Sequence, residues 1–192
     1  MNATQRFALS AVCLILAVTG CGASSDRTGS APAATSSTPT TQSGASPPAA
    51  TSNSGPTVPK ELAFTAKTVS GESFDGASLA GRNTVLWFWA PWCTVCARSA
   101  PSVKSAASAL PDVRFVGVAG LSSDSDAMGD FVGRHDVGDL THVADTGGDV
   151  YTRFGVTQQH TFVLIGADGS VTRHPAYGKD VDLTALVRST FG

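Results

Sequence analysis

Cys93 and Cys96 stand three positions apart in Cys93-Thr94-Val95-Cys96. Two thiols at this spacing can close a small disulfide ring, and a thiolate can open it again. The pair follows the β-branched and aromatic run Thr84-Val85-Leu86-Trp87-Phe88-Trp89 and the connection Ala90-Pro91-Trp92. That run reads as a buried strand. Residues 97–110 are small and apolar with few breakers, and read as a helix. Cys93 thus falls at a strand-to-helix junction, where unpaired N–H groups and the helix dipole favour a thiolate. The chemistry expected is thiol–disulfide exchange. A bare CxxC also matches half a zinc site or a surface disulfide. Zinc would need two further ligands, and no second CxxC or HxxxH occurs. The aromatic block at 87–92 favours the redox reading.

The N-terminus bears on the compartment. Residues 7–19 form an apolar run of signal-peptide length behind Arg6, too short to cross a membrane comfortably. The run ends at Val18-Thr19-Gly20-Cys21, which resembles the bacterial lipobox. The resemblance implies cleavage of 1–20 and lipidation of Cys21, with two or more acyl chains giving stable anchoring. An ordinary secretory signal is the alternative. Of the four cysteines, Cys13 leaves with the signal and Cys21 carries lipid, so Cys93 and Cys96 remain for chemistry. The expected location is the outer face of the cytoplasmic membrane, where disulfides persist.

Composition changes sharply over residues 22–59. Ser, Thr, Ala, Pro and Gly dominate, and no charge occurs between Arg27 and Lys60. Such a stretch cannot bury enough apolar surface to offset chain entropy, so a disordered tether over 21–59 is expected. As a flexible coil it would span about 35 Å. Residues 60–192 are of single-domain size. Their charge is mildly negative, and no basic cluster interleaves with aromatics, which argues against nucleic-acid binding.

The domain alternates strand and helix. Strands are expected at 62–68, 84–89, 113–119, 140–144, 161–165 and 171–174, with a short one within 71–81. Helices are expected from Cys93, at 125–135, at 148–154 and at 181–191, and Pro101 should kink the first. Asp168-Gly169 marks a hairpin turn. Asp124 and Asp126 read as a solvated helix start. This pattern fits an α/β fold with a central mixed sheet flanked by helices.

The stretch from Trp87 to Cys96 resembles the active site of extracytoplasmic thioredoxin-like proteins. With 113–120 and Phe154-Gly155-Val156-Thr157-Gln158-Gln159, it is similar to actinobacterial DsbE- and DsbF-type proteins of the TlpA/redoxin group. The resemblance covers 58–192 and the lipobox. It implies a thioredoxin-like fold and exchange with thiols and disulfides of exported proteins. Cys93 would be the nucleophile and Cys96 the resolving thiol, with no cofactor beyond their disulfide. A membrane redox partner would recycle the pair, and a monomer is expected. Trp92 would lie exposed beside the sulfur. The resemblance to the actinobacterial members implies oxidation as the direction, and Thr94-Val95 lacks the Gly-Pro of reducing thioredoxins.

Two positions depart from that pattern. His160, after Gln159, stands where the family has a cis-proline that shapes the substrate groove and helps exclude metal. A cis bond at a non-proline residue costs about 3–4 kcal/mol, so a trans bond and an altered loop are expected. Ser99 stands where related sequences carry a glutamate. His160 has three readings: a neutral loop residue, an imidazole favouring the Cys93 thiolate, or a copper ligand with Cys93 and Cys96. The segment 160–169 is also similar to the histidine segment of Sco-type copper chaperones, which carry CxxxC, so a copper-binding chaperone is the rival function. Peroxide reduction by Cys93 is a more distant one. His135, His142 and His174 read as surface or loop histidines, and Trp87 and Phe88 as core.

Overall fold

The computed structural model describes residues 57–192. The expectations for the signal sequence, Cys13, the lipidated Cys21 and most of the tether lie outside the described residues. Seven strands form one mixed sheet in the order β2-β1-β5-β4-β3-β6-β7. They are β1 (Thr65–Thr68), β2 (Ser73–Asp75), β3 (Thr84–Trp89), β4 (Arg114–Ala119), β5 (Thr141–Ala144), β6 (Thr161–Ile165) and β7 (Val171–Pro175). Four α-helices accompany them: α1 (Thr94–Ala109), α2 (Ser125–Arg134), α3 (Asp149–Arg153) and α4 (Leu183–Phe191).

β3 lies inside the sheet, parallel to β4 and antiparallel to β6. Every one of its six residues is buried, which is why the sequence there is an unbroken apolar run. Its side chains alternate between two cores. Val85, Trp87 and Trp89 pack with α1, α2 and α4 through Cys96, Val103, Phe131 and Val187. Leu86 and Phe88 pack on the opposite face with Leu62, Tyr151 and Phe154. Burying a side chain of this size contributes about 1.5–3 kcal/mol. The strand is therefore a stiff base for the turn that carries Cys93.

The expected elements are found, with shifts at their ends. β1 starts at Thr65, because Pro59 launches a 3-10 turn over Lys60–Leu62 that takes Leu62 into the core. α1 runs through Pro101 as one element. Pro101 has no N–H, so the Ala97 carbonyl loses its usual partner. Asp124 caps α2 by accepting the Ala127 N–H, as a solvated helix start requires.

Candidate active site

Cys93 is the N-cap of α1, and its Sγ accepts the backbone N–H of Cys96 at 3.1 Å. The turn is closed from the other side by the Cys93 N–H, which donates to the Ala90 carbonyl at 3.0 Å. Cys93 and Cys96 are joined by a disulfide, with Cα atoms 5.3 Å apart. Cys96 is fully enclosed, whereas Cys93 retains 4% exposure. Cys93 is thus the more accessible residue of the pair. The N–H that points at Cys93 Sγ, with no acidic residue in the first turn of α1, would stabilise a negative sulfur when the disulfide opens.

Trp92, next to Cys93 in the chain, is an exposed aromatic beside the pair. It is 58% exposed, and its indole N–H donates to the Leu121 carbonyl at 3.3 Å. Leu121 and Tyr177 are also exposed. Ser99, in the position of the absent glutamate, spends its hydroxyl on the Cys96 carbonyl at 3.0 Å.

His160 is held from both sides. Its N–H donates to the Phe88 carbonyl at 2.7 Å, and its carbonyl accepts the Ala176 N–H at 3.1 Å. No described peptide bond is cis, and the residue instead takes φ +58°, a left-handed conformation rare for non-glycine residues. Its ring sits 5.7 Å from that of Phe162, a member of the core that holds Cys93 and Cys96. Both ring nitrogens are buried without a hydrogen-bond partner. Burial holds its pKa below the usual imidazole range, Arg98 pushes the same way, and Asp180 opposes them. Gln159 beside it is half-buried. Among the described residues no three His, Cys, Asp or Glu side chains gather into a group that could hold a metal ion.

His142 corrects an expectation. It is neither a surface nor a loop residue but is 4% exposed, on an interior strand with its ring in the α1-side core. Trp89 Nε1 donates to its Nδ1 at 3.2 Å, and its Nε2 lies 2.9 Å from the Val137 carbonyl. Gly117 makes the space: a Cβ there would fall 2.0 Å from His142 Nδ1. A glycine inside a strand is a signal of close approach, and it was the available clue. Tyr151 and Asp145 were also not foreseen. The Tyr151 hydroxyl donates to the Trp89 carbonyl at 2.9 Å. Burial first, then Asp145, push that phenol's pKa up. Buried Asp145 accepts the N–H groups of Val150 and Tyr151, fixing α3 to the end of β5. His135 and His174 are half-buried.

The comparisons agree with this geometry. The Redoxin family matches residues 42–182, so the chain belongs to the redoxin family. Within it, the chain is similar to thioredoxin-like disulfide oxidoreductases of the DsbE/DsbF type. It is 44% identical to Mycobacterium tuberculosis DsbF, with 69% of this chain and 98% of that one covered and a TM-score of 0.65. It is 40% identical to a secreted M. tuberculosis disulfide oxidoreductase homologous to E. coli DsbE, covering 67% and 97%, with a TM-score of 0.63. The soluble secreted antigen MPT53 of M. tuberculosis is 45% identical over 113 residues, 59% of this chain and 64% of MPT53. The match thus spans less than two thirds of the length of that curated relative.

Proposed function

We propose that this chain is an extracytoplasmic thiol–disulfide oxidoreductase, lipid-anchored through Cys21, that introduces disulfides into exported proteins. The observation that carries the reading is the arrangement of the pair: Cys93 Sγ at the helix N-cap under the Cys96 N–H, with Cys96 sealed behind it. The secreted character of the mycobacterial relatives supports the compartment.

A substrate thiolate attacks Cys93 Sγ of the disulfide. The Cys93–Cys96 bond breaks, Cys96 leaves as a thiolate, and a mixed disulfide forms through Cys93. A second substrate thiolate attacks the substrate sulfur of that bond. Cys93 departs as a thiolate stabilised by the helix N-terminus. The substrate has lost two electrons to the pair, and a membrane redox partner must take them. In the reverse direction Cys96 resolves the mixed disulfide. Trp92, Gln159 and His160 border the substrate, and His160 tunes the Cys93 thiolate. No further cofactor is needed, and a monomer suffices.

Refolding of reduced, unfolded ribonuclease tests the reading. Wild type restores activity, and Cys93→Ser and Cys96→Ser both fail. Full activity in Cys93→Ser would overturn it. A palmitate-analogue label lost in Cys21→Ala tests the anchor, and a label that persists would refute it.

A further inference from the structure

Trp89 is the last residue of β3 and the anchor of the turn that carries Cys93. Four groups fix it besides the strand pairing of β3. Its carbonyl accepts the Tyr151 hydroxyl at 2.9 Å and the Gly120 N–H at 3.0 Å. Its ring stacks on Phe131 with centroids 4.2 Å apart. Its indole N–H ends on His142 Nδ1. An indole N–H only donates and a backbone carbonyl only accepts. His142 must therefore accept at Nδ1 and donate from Nε2 to Val137. Only the neutral Nε2–H tautomer satisfies both partners. The other neutral tautomer and the imidazolium both set an N–H against the Trp89 N–H in a buried site.

We propose that His142 is a positioning residue for the Cys93–Cys96 pair, holding Trp89 only as the neutral Nε2–H imidazole and releasing it on protonation. Protons have a route, since a cavity of about 410 Å³ reaches His142 past Thr68, Glu72, Asp139 and Thr141. Glu72 and Asp139 are the charged groups facing it across that cavity, and Asp139 is paired with Lys104 at 3.2 Å. From α2, His135 lies against Phe131 with ring centroids 4.5 Å apart. Asp145, just past the end of β5, is spent on the α3 amides. β3 and β4 bring the Trp87 and Trp89 rings and Gly117 to His142. Burial already holds the His142 pKa down, against the opposing effect of the Val137 bond.

The proposal deepens the oxidoreductase reading, but its main readouts do not depend on turnover. The full chain is followed by ¹⁵N imidazole and indole resonances between pH 8 and 4, and its Cys93–Cys96 potential is measured against glutathione over the same range. His142 should show the Nε2–H tautomer at neutral pH. The Trp89 Nε1 resonance and the potential should then move together as His142 protonates. His142→Gln keeps an acceptor and a donor yet cannot titrate. It should retain the neutral-pH potential and lose the His142-linked acid step. His142→Leu should shift the neutral-pH glutathione equilibrium roughly three- to tenfold, the scale of one buried hydrogen bond. An Nδ1–H tautomer, or a potential that ignores His142 protonation, would overturn the proposal. So would equal effects of Gln and Leu, which would mark a packing role. If His142→Leu does not fold, the wild-type resonances and the Gln variant decide. If no form refolds ribonuclease, the oxidoreductase reading fails while these resonances and potentials still report on His142.

Discussion

The Trp92 indole donates to the carbonyl of Leu121, 3.3 Å away and 29 residues along the chain. The bond ties the turn before Cys93 to the loop after β4. Leu121 takes φ +55° to present that carbonyl. Left-handed φ at a non-glycine residue costs on the order of 1–3 kcal/mol and tends to gather at functional sites. Among the described residues Leu121, His160 and Tyr177 carry it, with φ of +55°, +58° and +45°, and so does Asp136 in the loop after α2, with φ +53°.

Trp92→Ala therefore separates function from folding. The side chain is mostly exposed, so unfolding in urea should change by less than about 1 kcal/mol. Exchange with a peptide disulfide should weaken through KM rather than kcat. A stability loss as large as that of a core tryptophan would refute the assignment of Trp92 to the rim.

His160→Leu removes two buried polar atoms that find no partner. Such atoms cost about 1–3 kcal/mol each when left unsatisfied. The variant should unfold at higher urea than wild type, and its Cys93–Cys96 potential should shift. An unchanged potential would mean that the imidazole does not act on the thiols.

Acid should destabilise the fold in a predictable window. Burial lowers the folded pKa of both His142 and His160. An unfolded imidazole titrates near 6.5. The unfolded chain therefore binds protons that the folded one refuses. Stability from these residues is complete above about pH 6.5 and is lost as pH falls through their folded values, at up to roughly 1.4 kcal/mol per unit of separation. Urea midpoints at pH 7.5 and 5 should differ less in His142→Gln than in wild type.

Gly117→Ala tests the hole that His142 fills. Its Cβ would lie 2.0 Å from Nδ1 and 2.8 Å from Trp89 Nε1. Overpacking of this kind costs about 1–3 kcal/mol. In a double-mutant cycle with His142→Ala the penalty should largely vanish, with a coupling of about 1 kcal/mol or more. Simple additivity would show that the two positions do not share the space.

Much of this architecture was legible in the chain. The 84–89 run gave β3 to the residue, because a strand buried on both faces must be apolar throughout. The CxxC after it placed the pair at the start of α1. His160 was marked by its departure from the family pattern, and its trans bond followed from the cost of the alternative. His142 was not legible. Its neighbours in sequence, Thr141 and Val143, suit a strand of either kind, and nothing local reveals that β1 covers the outer side of β5. Its partners Trp89 and Val137 are brought to it by the sheet order and by the loop after α2, which sequence spacing does not encode. The left-handed residues were hidden for a similar reason: Leu121 and Tyr177 are not residue types that announce such a backbone.

The flanks of the sheet bear on how this protein meets half-folded chains, as the proposed function requires. Open strand edges recruit unfolded polypeptides and seed aggregates. Here β2 offers only the three residues Ser73–Asp75, and β7 ends at Pro175, which has no N–H to lend. β7 also carries Arg173, whose guanidinium is drawn to the Phe154 carbonyl. Neither border is a good template for a client strand. Contact with a sticky, unfinished substrate can then be confined to the neighbourhood of one sulfur atom, and ends when the sulfur lets go.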